Sequence, residues 1–301
     1  DIIGKSDSIG RMMEVALQAA RSRANVLIEG ESGTGKGMLA QYIHDASDCA
    51  RSKKGIFVKI NCAAIPDNLL EAELFGYEPG AFTGATKRKQ GKVELAHMGT
   101  LFLDEIGIAP PTLQSKLLRF IQEGEFERLG SNETLRIQTR VISATNVDLK
   151  SAIQSGQFRE DLFYRLNVLH IRVPALRERL EDIPILAAQF IAESARKNGR
   201  PVPLIHPKVF EQLTHYGWPG NIRELQNLME RLVVLNTREE IRPEDLPQEF
   251  GGTKKDNVIR IPLGLPLKKV EKLLFEETLK STEGDKKLAA RLLGVHPRTI
   301  Y

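Results

Sequence analysis

A glycine-rich segment, GESGTGK, occupies residues 30–36 and directly follows a short apolar run. A helical pattern comes after it, with Met38, Leu39 and Ile43 on one face. Glycines let a backbone fold around phosphates, successive N–H groups and a helix N-terminus attract the anion, and Lys36 can reach the β- and γ-phosphates. A glycine-rich turn that binds nothing is the alternative. The strand before the segment and the helix after it favour a phosphate-binding loop, the P-loop.

Two adjacent acids, Asp104 and Glu105, end a second apolar segment, TLFLDE, at residues 100–105. Open α/β sheets bind ligands at the carboxyl ends of their strands. Asp104 would hold Mg²⁺ there, directly or through water, and Glu105 would orient and deprotonate the attacking water. Two acids alone could mark a solvated strand end. Beside a P-loop they indicate hydrolysis of a nucleoside triphosphate rather than binding alone.

Short β-rich segments alternate with helical patterns over the first part of the chain. They lie at residues 25–29, 56–61, 100–104, 140–146 and 167–173. This alternation predicts an α/β fold, a parallel sheet with helices on both faces. After Pro174 the strand patterns stop and apolar residues recur at helical spacing, which predicts a small all-helical subdomain. We therefore expect an α/β nucleotide-binding subdomain at 1–173, a helical subdomain at 174–249, a linker at 250–266 with loop punctuation, and a further helical domain at 267–301.

Composition narrows the class of protein. The 301 residues are 41% hydrophobic and 27% charged, enough to bury cores in two or three units. Apolar runs stay far below the roughly 20 residues that cross a bilayer, so we expect no membrane span. The chain begins at Asp1 without a leader and has only Cys49 and Cys62, which favours a fragment of a cytoplasmic protein. Histidine spacing gives a zinc site no support, and a serine hydrolase would need a nucleophile elbow that the sequence lacks.

The positive charge is concentrated in the tail. Residues 253–301 carry eleven Lys or Arg against six Asp or Glu, whereas the whole chain has a net charge of +4. The first 252 residues are therefore close to neutral. A solvated face is one interpretation of such a tail, and a nucleic-acid module is the other.

The hexapeptide GAFTGA at residues 80–85 is a sequence signature that is highly specific to one protein family. Together with ELFGYEPGAFTGA, GTLFLDEI, FREDLFYRLNV and WPGNIREL, it makes the chain similar to sigma-54-dependent transcription activators of the AAA+ superfamily, also called bacterial enhancer-binding proteins. The resemblance covers residues 1 to about 250 and continues weakly into the tail. Without it, this segment would be a mobile loop with an exposed Phe82.

The resemblance implies an ATPase that uses ATP and Mg²⁺, forms a homo-oligomeric, hexameric ring when active, and remodels the sigma-54 RNA polymerase holoenzyme to open promoters. The helical subdomain at 174–249 would be the AAA+ lid, and the setting would be a two-component regulatory system. Sigma-54 would be contacted by Gly80, Ala81, Phe82, Thr83, Gly84 and Ala85. Nucleotide would be bound by Ile3, Gly4, Gly30, Glu31, Ser32, Gly33, Thr34, Gly35, Lys36, Gly37, Met38, Thr145, Asn146 and Arg223.

Four residues resemble the family's catalytic group. Besides Glu105, Asn61 resembles the switch asparagine that pairs with the catalytic glutamate, and an ordinary strand-end residue is the equal alternative. Arg159 and Arg165 resemble arginine fingers that reach a neighbouring subunit's site. Salt bridges on a solvated helix are their alternative. Thr145 and Asn146 resemble the family's first sensor, and ordinary strand-end turn chemistry is the alternative. Arg223 resembles the second sensor, and a surface arginine is the alternative.

The tail, LAARLLGVHPRTIY, resembles the start of a Fis-type helix-turn-helix for enhancer DNA. Gly294 would permit the turn and Pro297 would open the recognition helix, with Arg298 and Thr299 as DNA contacts. The sequence stops at Tyr301, about one turn into that helix. We expect a truncated module that binds DNA weakly, with enhancer DNA as the partner of the complete domain.

Position 37 departs from the general P-loop pattern and from the usual pattern of the family. The general P-loop has Ser or Thr there for Mg²⁺ and the family usually has Glu, whereas this chain has Gly37. We expect intact ATP binding, with hydrolysis that is slower or needs more Mg²⁺ than in a Gly37→Glu chain. Two other functions stay open: another AAA+ remodelling ATPase, which would lack Phe82 and Thr83 in this context, and a nucleotide-binding, DNA-binding regulator without motor activity, which an ATPase assay would separate.

Overall fold

The structure is a computed structural model that describes residues 2–51, 55–236, 238–250, 265–282 and 285–295. The chain divides into two compact units, Asp1–Leu246 and Pro247–Tyr301. Within the described ranges, every helix is too short or too polar to cross a membrane.

A parallel sheet of five strands forms the centre of the first unit. The strands of this unit up to the lid are β1 Val26–Glu29, β2 Phe57–Asn61, β3 Gly76–Tyr77, β4 Lys89–Gln90, β5 Thr100–Asp104, β6 Glu125–Glu127, β7 Thr134–Arg136, β8 Arg140–Thr145 and β9 Leu169–Arg172. The sheet has the order β2-β5-β8-β1-β9, while β3 pairs with β4 and β6 with β7 as antiparallel hairpins. The central strand β8 is buried along its whole length, as expected for a parallel sheet covered on both faces.

Helices cover both faces of the sheet. They are α1 Asp7–Ala20, α2 Lys36–Asp45, α3 Asp48–Arg51, α4 Asp67–Phe75, α5 Lys92–Leu95, α6 Pro111–Glu123, α7 Leu149–Gln154 and α8 Glu160–Leu166. Because successive strand side chains point to opposite faces, Leu101 and Leu103 pack into one core with α4 and α6. Phe102, between them, packs into a second core with α1 and α2. The predicted α/β fold with helices on both faces is confirmed.

The lid residues after this sheet form α9 Ile183–Lys197, α10 Pro207–His215 and α11 Asn221–Leu235. We predicted only helices here, but β10 Leu204–Ile205 and β11 Glu240–Ile241 form a short parallel pair. Strands of two residues are too short to show an alternating pattern, which is why the sequence did not reveal them. The buried Trp218 holds the end of α10 by donating from its indole N–H to Leu213 O at 2.8 Å.

The second unit contains α12 Leu267–Ser281 and α13 Lys286–Leu293. Ala289 and Ala290 are buried between these helices, against Phe275 and Leu279 of α12. Gly294 has a φ of 65°, so it supplies the left-handed turn that we predicted after α13. Pro297, Arg298 and Thr299 lie outside the described residues, as does most of the linker predicted at 250–266.

Candidate nucleotide site

The glycine-rich segment connects β1 to α2 and folds back on itself. Gly33 and Gly35 have φ values of 78° and 99°, a left-handed backbone that glycine adopts without strain. A Cβ on Gly33 would lie 2.3 Å from Gly220 O, so only glycine allows the lid to approach this closely. Lys36 is buried and donates from Nζ to the carbonyls of Gly30 at 2.9 Å and Glu31 at 3.2 Å. Its charge is therefore held at the mouth of the loop.

Glu105 lies between the P-loop and the end of β8. Its backbone is left-handed, with φ 55° and ψ 47°, a conformation that non-glycine residues keep only where their surroundings hold it. One carboxylate oxygen is 3.4 Å from Lys36 Nζ, and the other accepts a hydrogen bond from the Asn146 N–H at 3.1 Å. The predicted catalytic acid thus contacts both the loop lysine and the first-sensor segment.

Asp104 and Asn61 end neighbouring strands at the same edge of the sheet, because β2 and β5 pair in register at these two positions. Asn61 Oδ1 accepts from the Ala63 N–H at 2.8 Å. Among the described residues no hydrogen bond joins Asn61 to Glu105, so their pairing stays a prediction. Thr145 is buried, and its hydroxyl accepts from the Val147 N–H at 3.0 Å. This is the turn chemistry that we gave as the alternative to a sensor.

Most of these residues, but not the buried Thr145, line one groove. It has a volume of about 740 Å³ and is lined by Ser32, Gly33, Gly35, Lys36, Gly37, Met38, Gln41, Phe57, Lys59, Asn61, Ala63, Asp104, Glu105, Ile108, Asn146, Ile222, Arg223 and Gln226. An apolar pocket of about 210 Å³ adjoins it and shares Gly35, Met38 and Ile222, with Ile2 and Ile3 added. Charged side chains in the groove and an apolar pocket beside it suit the phosphates and the base of a nucleotide. A cavity of about 710 Å³ near Gly99, at the opposite strand ends, has none of the predicted site residues in its lining.

The lid grips the P-loop through Glu31. Arg177 donates from Nη1 to Glu31 Oε2 at 2.7 Å and pairs through Nη2 with the other carboxylate oxygen. Asn221, buried at the start of α11, donates to Glu31 Oε2 at 3.1 Å and to Ser32 O at 3.0 Å. Hydrogen bonds from Arg177 and then from Asn221 lower the pKa of Glu31 to about 2. The sequence indicated a nucleotide contact for Glu31, and the structure gives its side chain lid partners.

Arg223, the predicted second sensor, also lies at the loop. It donates from Nη1 to Ser32 Oγ at 3.1 Å and from its backbone N–H to Gly33 O at 3.3 Å. A helix of the lid thereby brings a guanidinium to the groove. Arg223 is therefore a loop contact within this chain.

The N-terminal segment is tied to the lid by a residue that the sequence did not reveal. Asp182 is fully buried and accepts from the Lys5 N–H at 2.6 Å, the Ser6 N–H at 3.0 Å and Ser6 Oγ at 2.7 Å. A Cβ on Gly4 would lie 2.8 Å from Asp182 Oδ2. Gly4 therefore permits the close approach that holds Ile3 at the apolar pocket.

The GAFTGA segment forms the tip of the β3–β4 hairpin. Gly80 and Gly84 have φ values of 85° and 102°, and the Gly80 N–H donates to Ala85 O at 2.8 Å. Phe82 is 39% exposed and meets the Tyr77 ring edge-on at 4.9 Å. The hexapeptide is a closed loop that presents an aromatic side chain to solvent.

Arg128 anchors the base of this hairpin. Its buried guanidinium binds both oxygens of Glu94 at 2.8 Å and Glu78 Oε1 at 2.9 Å. These hydrogen bonds, chiefly those that Arg128 donates to Glu94, raise the pKa of Arg128. Arg128 is 34 residues from Glu94 and 50 from Glu78 in the sequence, so no local pattern revealed this network.

The two predicted fingers lie at opposite ends of α8, and both are exposed. Arg159 donates to Asp161 from Nη2 at 2.7 Å and from Nε at 3.0 Å, which is the local salt bridge that we gave as its alternative. The side chain of Arg165 has no hydrogen bond or ion pair within the described part of the chain. A role toward a second subunit stays a prediction for both.

Comparisons with known proteins fit this arrangement. Family models match for a "Sigma-54 interaction domain" at residues 2–172, an "AAA+ ATPase lid domain" at 177–259 and a "Bacterial regulatory protein, Fis family" at 266–301. The chain is 47% identical to the regulatory protein AtoC of Escherichia coli K12 over 299 residues, covering 96% of this chain and 64% of AtoC. It is 44% identical to the Nif-specific regulatory protein of Azotobacter vinelandii, covering 99% of this chain and 57% of that protein.

A solved structure also resembles the whole chain. NtrX from Brucella abortus, crystallised with ADP, is 34% identical with a TM-score of 0.76 and is matched over 100% of this chain and 67% of NtrX. NtrX crystallised with ATP gives 33% identity and the same TM-score. The chain thus spans about two thirds or less of the length of these relatives.

Proposed function

The chain belongs to the family of sigma-54-dependent transcription activators, and on that premise we propose that it hydrolyses ATP to remodel the sigma-54 RNA polymerase holoenzyme through the GAFTGA loop. One observation carries the proposal: Lys36 of the P-loop contacts Glu105 at 3.4 Å in a chain that also exposes Phe82 at the tip of a hairpin. Nucleotide chemistry and a polymerase-facing loop are the two halves of the proposed motor. DNA binding by the C-terminal domain completes it.

The P-loop would cradle the phosphates of ATP, with the base in the apolar pocket beside Ile3. Lys36 would turn from its loop carbonyls to the β- and γ-phosphates, which releases Glu105. The Glu105 carboxylate would then accept a proton from the attacking water, while the Asn146 N–H holds its other oxygen. Crystals of NtrX with ADP and with ATP support nucleotide binding here.

Asp104 would hold Mg²⁺. In the described part of the chain, no three His, Cys, Asp or Glu side chains come together as a metal-binding group. A single strand-end carboxylate nevertheless fits Mg²⁺, which binds through one or two carboxylates, substrate phosphates and several waters. Bound Mg²⁺ would neutralise the charge that develops on the phosphate oxygens.

A ring would complete the site. Arg159, at the N-cap of α8, and Arg165, within α8, are exposed. They can extend to another chain, where a guanidinium would stabilise transition-state charge. The family works as a hexameric ring, and we propose the same assembly for this chain.

The GAFTGA loop would carry the nucleotide signal to sigma-54. Glycines at both ends allow the loop to change its path, and the Arg128 network holds the base of the hairpin. Phe82 has more than a third of its surface exposed although it is large and apolar, which is typical of an interaction site. At the other end of the chain, Lys286, Lys287 and Arg291 on α13 would contact enhancer DNA phosphates.

The test compares Phe82→Ala and Thr83→Ala with the unchanged chain in two assays, ATP hydrolysis and opening of a sigma-54 promoter by the holoenzyme. Neither side chain lines the nucleotide groove, so hydrolysis should survive while promoter opening fails. Thr86→Ala is the matched control, because it makes the same change just outside the hexapeptide and should preserve both activities. Normal promoter opening by both loop variants would contradict the role of the loop.

The same assays separate the alternatives. Hydrolysis without any effect on the holoenzyme would indicate another AAA+ remodelling ATPase. A chain that binds ATP but never hydrolyses it, even at concentrations that assemble it, would indicate a regulator for which nucleotide is only a structural ligand.

A further inference from the structure

Lys59 is a second lysine in the phosphate groove, and neither the sequence motifs nor the proposed reaction uses it. It lies on β2 beside Phe102 of β5, with Nζ 5.5 Å from the centroid of that ring. The same Nζ is 3.4 Å from Asp104 Oδ2, and the side chain is 51% exposed. An ammonium group therefore rests on the carboxylate that would take Mg²⁺.

Gly37 makes room for this position. A Cβ built on Gly37 would lie 3.3 Å from Lys59 Nζ and 3.8 Å from Phe102 Cε1. Any side chain at position 37 would thus begin beside the ammonium, and an acidic one could pair with it. In this chain glycine supplies no such group, and the described residues give Lys59 a single ion-pair partner, Asp104.

The charges in the groove are arranged as two adjacent pairs. Lys36 is 3.4 Å from Glu105, and Lys59 is 3.4 Å from Asp104. The N-terminus of α2 adds positive potential at this point, which disfavours a second ammonium group unless an acid balances it. Asp104 is that acid. Lys59 and Mg²⁺ would therefore compete for the same carboxylate.

We propose that Lys59 is a tethered cation that holds Asp104 in the nucleotide-free chain and must release it before that carboxylate takes Mg²⁺. Lys59 thereby raises the Mg²⁺ concentration at which the chain binds ATP. This inference rests on the proposed function, since it assumes the ATP site. It also explains how Gly37 would affect the Mg²⁺ requirement. Because position 37 offers no carboxylate to Lys59, Lys59 stays paired with Asp104.

The first test replaces Lys59 with Met, which keeps an unbranched stem on Phe102 and removes the charge. Binding of a non-hydrolysable ATP analogue is measured by fluorescence over a Mg²⁺ titration and in EDTA. The half-saturating Mg²⁺ concentration should fall by about two- to fivefold, the range expected for a partly exposed ion pair. Lys116→Met is the matched control, because Lys116 is 52% exposed and pairs with Glu71 on α4, outside the groove.

Two outcomes would overturn the inference. An unchanged or higher Mg²⁺ requirement in Lys59→Met would show that Lys59 does not compete for Asp104. A loss of affinity that is equal with Mg²⁺ and in EDTA would show that Lys59 binds the phosphates instead. If the unchanged chain binds no nucleotide at any Mg²⁺ concentration, the proposed function fails and this inference fails with it, whereas binding without the shift overturns the inference alone.

A second variant tests the part played by position 37. Gly37→Glu should lower the Mg²⁺ requirement, because the new carboxylate draws Lys59 away from Asp104. The shift should be smaller in a Lys59→Met background, and the four proteins form a double-mutant cycle that isolates this coupling. Equal shifts in both backgrounds would mean that Gly37 acts independently of Lys59. Thermal unfolding of all four proteins checks that each is folded.

Discussion

Asn221 donates a hydrogen bond from Nδ2 to Glu31 Oε2 at 3.1 Å, although 190 residues of sequence separate the two. The same buried amide accepts from the Leu176 N–H at 2.8 Å through its oxygen, so one side chain joins the P-loop to two parts of the lid. Arg177 grips the same carboxylate from the segment before α9. Asn221 and Arg177 therefore place the lid in direct contact with Glu31, the second residue of the P-loop.

The stability that Glu31 contributes to the fold should depend on pH. The pKa of Glu31 falls from 4.5 to about 2 in the folded chain, through hydrogen bonds from Arg177 and then Asn221. A carboxylate with a lowered pKa stabilises the fold fully above its unfolded value, and this contribution is lost as the pH falls from 4.5 towards 2. Arg177 and Glu31 are 46% and 43% exposed, so solvent screens them, and Glu31→Gln should cost less than about 1 kcal/mol near neutral pH.

Unfolding is followed through the fluorescence of Trp218, the single tryptophan, which is buried in the lid. The difference in unfolding free energy between the unchanged chain and Glu31→Gln should shrink as the pH falls from 4.5 towards 2. Added salt should reduce this difference. Glu240→Gln is the control, since Glu240 pairs with Arg242 elsewhere on the lid. A difference that is constant with pH would contradict the assignment of the shift to Glu31.

Replacing Glu105 with Gln should stop hydrolysis and leave nucleotide binding intact. The amide oxygen can still accept from the Asn146 N–H, but it cannot take a proton from water, so turnover should fall by at least about two orders of magnitude. Retained ATP is measured on the isolated protein alongside the rate. Glu71→Gln, an acid paired with Lys116 away from the groove, should turn over normally. A Glu105→Gln rate near that of the unchanged chain would exclude Glu105 as the general base.

Mixtures of two inactive variants test whether Arg165 acts on a neighbouring subunit. Lys36→Ala disables the phosphate site of its own chain, and Arg165→Ala disables only the finger. A mixed ring contains interfaces with an intact site on one side and an intact finger on the other, so the mixture should recover part of the ATPase rate. Verified co-assembly without any recovery would argue for action within one chain. Arg136→Ala is the control, because Arg136 is exposed on β7 and has no proposed role in hydrolysis. A mixture of Arg136→Ala with Lys36→Ala should therefore be active.

The parts of the candidate site that depend on adjacent residues could be predicted from the sequence. The P-loop, the two acids after β5 and the five sheet strands each depend on adjacent residues, and the strand bounds agree to within two residues. Contacts made across the fold could not be read in this way. Glu31 meets its lid partners only through packing of the lid, and Lys59 reaches Asp104 only through the register of β2 against β5. The contacts of Glu31 and Lys59 therefore depend on where the fold places them, which residue type alone does not indicate.

Cys62 follows β2 directly and is buried. Burial raises the pKa of its thiol to about 12, and the charges of Asp104 and Glu105 add to this effect. Because the thiolate is the reactive form, a thiol with this pKa has roughly a thousandth of the thiolate of an ordinary cysteine near pH 8.

Labelling with iodoacetamide in a Cys49→Ser background, which leaves one thiol, measures this directly. Cys62 should react at least about a hundredfold more slowly in the folded chain than in urea, since both the pKa and burial protect it. Glu105→Gln removes one of the two nearby charges without opening the fold, so it should speed labelling and move the pH profile to lower values. Rapid labelling of the folded chain, or a profile that ignores the Glu105→Gln change, would show that the thiol does not sense the acidic pair.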